Sequence, residues 1–144
     1  MKIRFSLILV VLSMLVSGCS SPDAPMAFSR FNAPGWSLLE IRNDVAYDRS
    51  WKVVIGIIVR TFDLEFISKE EGYIRTAWLH TWTGIYLPNY RVRVTVLFSE
   101  DRKTLQLKPE AQSLEEGAWV EGADTRLLPN LKAELVGTIG RTLR

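Results

Sequence analysis

The sequence predicts one α+β domain, an antiparallel sheet of about four strands with two helices packed on one face. Three observations predict it. Apolar residues recur at helical spacing over 45–62, alternate with period two between polar turns over 63–108, and return to helical spacing near the C-terminus. The chain has 144 residues, 47% hydrophobic and 10% aromatic. That suits one packed core and is too short for two ordinary domains.

Residues 35–42 read as a first strand of poor alternation. Asn43 and Asp44 can cap a helix after it. Tyr47, Trp51, Val54, Ile55, Ile58 and Phe62 make one stripe, with Asp48, Arg49, Lys52 and Arg60 elsewhere on the wheel. The run 53–59 is also β-branched enough for a buried strand, but stripe and length favour a helix. Gly56 weakens that helix by up to about 1 kcal/mol relative to Ala.

Strands follow at 63–68, 73–82, 90–98 and 104–108. Residues 69–72 are a polar turn ending in Gly72, 83–89 a loop with Gly84 and Pro88, and 99–103 a charged turn. The clearest strand is 90–98, where Val92, Val94 and Val96 alternate with Arg91, Arg93 and Thr95. Short turns between strands imply an antiparallel meander, buried on one face and wet on the other. Residues 114–122 read as an acidic loop around Trp119. The final helix covers 125–143, with Leu128, Leu131, Leu135, Ile139 and Leu143 as its stripe. Asp124 or Thr125 can cap it, Pro129 fits only its first turn, and Arg141 and Arg144 suit the negative end of its dipole.

The N-terminus carries the most specific motif. Lys2 and Arg4 precede an apolar run, 5–16, of about 12 residues, about 18 Å as a helix and short of the ~30 Å bilayer core. Val16-Ser17-Gly18-Cys19 follows and resembles the lipobox of bacterial lipoproteins. The resemblance implies cleavage between Gly18 and Cys19 and a diacylglycerol on Cys19. Ser20 after the Cys implies the outer membrane, with a periplasmic domain. Several acyl chains would anchor firmly, at about 0.8 kcal/mol per buried CH₂. Lipidation also accounts for a lone Cys in an exported chain. Residues 19–34, with Pro22, Pro25 and Pro34, read as the lipidated Cys and a flexible tether, leaving 35–144 as the domain.

Residues 46–51 (AYDRSW), then Phe62, then 68–76 (SKEEGYIRT) resemble the repeat in the C lipoprotein of the outer-membrane β-barrel assembly machinery. The resemblance spans roughly 45–110. It implies a helix-grip-like fold and a role as a protein-binding accessory. This chain has room for one such domain where that family carries two, and no motif match carries over a binding residue.

Composition excludes several classes. Of 18 basic residues two lie in the leader, so the mature chain balances its 16 acidic ones. A general nucleic-acid binder needs excess positive charge. One Cys and one His leave no disulfide and no Cys- or His-rich metal site, and no cofactor motif appears. His80 is the only imidazole base, and it sits mid-strand, so no catalysis is expected.

Two surfaces remain. Arg91 and Arg93 project together from one strand, and Arg75 and Lys108 join them if the strands pair in order. Such a stripe can meet lipid phosphates or an acidic partner, or be a solvated face with partners such as Glu110. Trp82 and Tyr86, with Trp78 and Tyr90, bracket the loop 83–89 as a contact surface, or the two Trp residues fill the core. The sequence thus leads to a protein-binding module at the envelope. The alternative is a carrier of a lipid or small apolar ligand held between helix and sheet.

Overall fold

The strongest alternation in the chain forms the centre of the sheet. The computed structural model describes residues 25–30 and 35–141. The leader, the cleavage position at Gly18 and Cys19, and most of the tether lie outside the described residues. In chain order the elements are β1 (Phe28–Ser29), β2 (Ser37–Glu40), α1 (Tyr47–Ile58), β3 (Leu64–Ser68), β4 (Tyr73–Thr76), β5 (Tyr90–Phe98), β6 (Thr104–Glu115), β7 (Ala118–Asp124) and α2 (Leu127–Thr138). All pairings between strands are antiparallel, in the order β1-β7-β6-β5-β4-β3, with β2 also on β6.

The α+β class holds, but the sheet has seven strands and not about four. Three local reasons account for the difference. First, Glu115 pairs with Ala118 around Glu116-Gly117, both at positive φ (48° and 83°). That two-residue turn suits the twist of a hairpin, so 118–124 returns as a strand where an acidic loop was expected. Second, β6 runs past Pro109 to Glu115. Ser99 N donates to Thr104 O and Leu114 N to Asn89 O. Even-numbered residues of β6 therefore bond to β5, and odd ones face the other edge. Pro109 lies there between the pairings with β2, which end at Leu107, and with β7, which begin at Ala111. Its missing N–H falls in that gap. Third, Phe28 and Ser29, within the stretch read as tether, pair with Asp124 and Ala123 of β7.

The even residues of β5, from Tyr90 to Phe98, face the helices and are buried. Trp51, Val54, Ile57 and Ile58 of α1 and Leu127, Leu131 and Leu135 of α2 close that core. Both helices are shorter than predicted. Ala46 stands at the N-cap of α1 with no side-chain cap bond, so Asn43 and Asp44 do not cap it. Arg126, and not Asp124 or Thr125, stands at the N-cap of α2 with no side-chain cap bond; Asp124 accepts the Arg126 amide just ahead of the helix (2.9 Å), and Pro129 does sit in its first turn. Arg141 lies beyond α2 and pairs with Glu40 (3.6 Å). No described helix is long and apolar enough to cross a membrane.

Candidate functional site

The odd residues of β5 face away from the helices, beside the even residues of β6. Arg91 is opposite Gln112, Arg93 opposite Glu110, and Thr95 lies between Lys108 and Arg75. The four cations of the sequence reading therefore share one face. They are not an open basic stripe. Arg93 makes a two-pronged pair with Glu110 (Nε to Oε2 2.9 Å, Nη2 to Oε1 3.2 Å). Lys108 approaches the same carboxylate at 3.6 Å, and Arg75 pairs with Glu65 at 2.9 Å. Burial alone would raise the Glu110 carboxyl; the Arg93 hydrogen bonds and the charges of Arg93 and Lys108 outweigh it and hold it below its usual value.

Arg91 differs. Its Nε and Nη2 both donate to Gln112 Oε1 (2.8 and 2.7 Å), and among the described residues no carboxylate pairs with it. Its guanidinium lies 3.9 Å from the ring centre of Trp119 and 4.5 Å from that of Trp78. Arg93 lies 4.4 Å from the Trp78 ring. Both Trp residues are partly exposed. Partial burial, and the Arg93 charge beside it, lower the Arg91 pKa. Arg91 nevertheless keeps its charge at any ordinary pH. The result is a cation held by neutral groups and π faces.

A one-residue slip in the sheet builds this cluster. β4 pairs with β5 in register from Tyr73 to Arg75, but Leu79 then bridges Val92, one residue out of step. The Thr76 hydroxyl accepts the Val94 amide (3.0 Å) and satisfies it beside the slip. Had residues 73–82 kept strict alternation, Trp78 and His80 would have shared the core face with Ile74. The slip turns both outward. His80 then contacts the rings of Tyr86 and Trp119, and its Nδ1 lies 3.1 Å from Leu87 O. Tyr86 and Ile85 at the loop tip are 63% and 70% exposed.

Trp82 does not join this face. It is partly buried, stacks on Phe62 (6.0 Å, 19°) and packs against the core, the second of the two places the sequence allowed it. Trp119 was missed because its strand was read as a loop. The signal that would have found it is the Glu116-Gly117 pair. Among the described residues no group of His, Cys, Asp or Glu side chains is placed to hold a metal ion. No protein-family model and no curated protein matches the sequence.

Proposed function

We propose that the protein is a lipid-anchored binding module of the cell envelope, carrying Cys19 as its lipid attachment and docking a protein partner on the helix-free sheet face. The observation that carries this reading is Arg91. It is a charge with no carboxylate partner among the described residues, set between two partly exposed Trp rings and rimmed by Arg93, His80 and Tyr86. Aromatic and Arg side chains in such clusters dominate the energetics of protein interfaces. An acidic group on the partner would supply the missing counter-charge, and that favours recognition more than raw affinity.

The carrier alternative draws less support. The space between α1 and the sheet is taken by Trp51, Val54, Ile58, Val92, Val94 and Val96, all at most 6% exposed. The depression lined by Ala46, Asp48, Arg49, Lys52 and Val53 lies on α1 and is open to solvent.

The test is crosslinking in intact cells, recovery of the full chain, and identification of what comes with it. Arg91→Glu is expected to lower recovery of a discrete envelope partner at least tenfold, with the thermal midpoint little changed. Lys52→Glu on α1 should leave recovery unchanged, and Cys19→Ala should lose it. Equal recovery with Arg91→Glu overturns the docking face. Full recovery with Cys19→Ala overturns the anchor.

A further inference from the structure

The outer edge of β7 offers a second surface, independent of the Arg91 face. In β7 the even residues bond to β6, so the backbone groups of Trp119, Glu121, Ala123 and Thr125 point to the opposite edge. Among the described residues, 27–29 occupy the end of that edge. Ser29 pairs with Ala123, and Thr125 N donates to Ala27 O (2.9 Å). Trp119 and Glu121 have no strand partner on that side among the described residues.

One side chain fixes this contact. Phe28 crosses Gly122 and meets the Tyr90 ring edge-on (5.9 Å, 80°). A Cβ at position 122 would lie 2.6 Å from the Phe28 ring and 2.6 Å from Ser29 O. Gly122 is thus a notch that fits an aromatic ring and an adjacent backbone. The occupant is held by a two-residue ladder, this ring, and an Arg30–Glu115 pair whose Arg side chain is 59% exposed. So short a strand adds little stability of its own.

We infer that the β7 edge is a strand-accepting site which residues 25–30 hold closed, and that an extended segment of a partner protein, with an aromatic side chain over Gly122, replaces them. The self-occupant shows the chemistry the site accepts: main-chain bonding to Ala123 and Thr125, and one ring in the notch. A longer partner strand also reaches the groups of Glu121 and Trp119, which have no strand partner among the described residues. Release of residues 25–30 adds up to about 20 Å of chain between residue 24 and the domain. Docking at this edge therefore lengthens the reach of the tether.

The probe is a synthetic peptide of residues 25–30, Pro-Met-Ala-Phe-Ser-Arg, titrated into the full ¹⁵N-labelled chain. In the Phe28→Ala variant, saturable shifts centred on residues 118–126, together with Tyr90 and Glu115, are expected, and a peptide with Ala in place of Phe should give none. The wild-type chain should need at least tenfold more peptide. No saturable shift, shifts that ignore the peptide's Phe, or equal midpoints for the two chains would each overturn the inference. Hydrogen exchange on the unaltered protein gives a second reading. The Thr125 amide should exchange at least a hundredfold faster than the Val92 amide; equal protection would show that residues 25–30 are not released short of global unfolding, and would overturn it. A wild-type chain that is dimeric, with residues 25–30 exchanged between copies, would make a second copy the occupant and overturn the partner assignment.

Discussion

Replacing Asp124 by Ala is expected to lower stability by about 3 kcal/mol. Asp124 is 3% exposed and receives three kinds of donor. Tyr90 Oη donates to Oδ2 (2.6 Å), the Arg126 amide to Oδ1 (2.9 Å), and the Arg126 guanidinium to both oxygens (3.3 and 3.2 Å). Removal leaves the Tyr90 hydroxyl, on a residue 1% exposed, without a partner. A buried unsatisfied group costs about 1–3 kcal/mol, and the lost bond to the Arg126 amide about 1 more. The Arg126 side chain is 49% exposed and returns to water cheaply. Asp124→Asn should lose less, about 1–2 kcal/mol, because an oxygen acceptor remains. Denaturant unfolding of the two variants beside Tyr90→Phe measures all three. A loss below 1 kcal/mol for Asp124→Ala would mean that water serves Tyr90 equally well.

The same group sets a pH dependence. Burial alone would raise the Asp124 carboxyl. The hydrogen bonds from Arg126 and Tyr90, with the Arg126 charge, outweigh it and hold the group below its usual range. A lowered folded pKa means stability that is present above the unfolded value of about 3.9 and lost as pH falls through the folded value. Tyr90 goes the other way. Burial first, then its bond to Asp124, raises its hydroxyl well above the ordinary value. That contribution is complete below about pH 10 and is lost as pH rises further. The wild-type advantage over Asp124→Asn should therefore shrink in acid, and that over Tyr90→Phe should shrink in alkali.

The parts of this fold that were legible in the sequence are those whose pattern is local. Period two over residues 90–98 assigned β5, its buried Val residues and its outward Arg91 and Arg93. Spacing of three and four assigned α1 and α2. What escaped depends on pairing between distant residues. Trp78 read as either a contact residue or core, and His80 as a mid-strand residue; strict alternation from Ile74 would place both on the core face, and only the slip before Leu79 turns them out. The slip itself rests on Thr76 serving the Val94 amide, a contact 18 residues apart in the chain. Pro109 looked like a strand end, since nothing in the neighbouring residues says that β2 and β7 leave a gap there. Phe28 read as tether because its partner is a missing side chain, at Gly122. The Arg91 cluster was therefore half visible. Its cations came from one strand, while its aromatic walls came from a slipped loop and a hairpin that acidic composition disguised.

Replacing Gly72 by Ala is expected to cost about 3 kcal/mol, and Gly117 by Ala only about 1. Both glycines adopt positive φ, 70° and 83°, where a Cβ costs about 1 kcal/mol. The surroundings differ. Nothing lies within 4 Å of a Cβ at position 117. At position 72 the new methyl would overlap Arg102 Nη1 and sit 2.8 Å from Phe98 Cβ. Phe98 cannot retreat easily, because it is 2% exposed, donates its amide to Gly72 O (2.8 Å), and packs against Tyr47 and Trp51. Arg102 can move, but it donates to the carbonyls of Glu70 and Glu71 and lies 4.9 Å from the Tyr47 ring. The excess at Gly72 is thus a steric term against β5 plus the loss of a clasp on the β3–β4 turn. Removing the clasp first separates them. In an Arg102→Ala background the Gly72→Ala cost should fall by about 1 kcal/mol, a coupling of the size expected for side chains in contact. Thermal unfolding of the four chains reads this directly, with a shift of about 10 °C or more for Gly72→Ala alone. Equal shifts for the substitutions at 72 and 117 would mean that backbone conformation, and not the approach of Phe98, is what requires glycine in the turn.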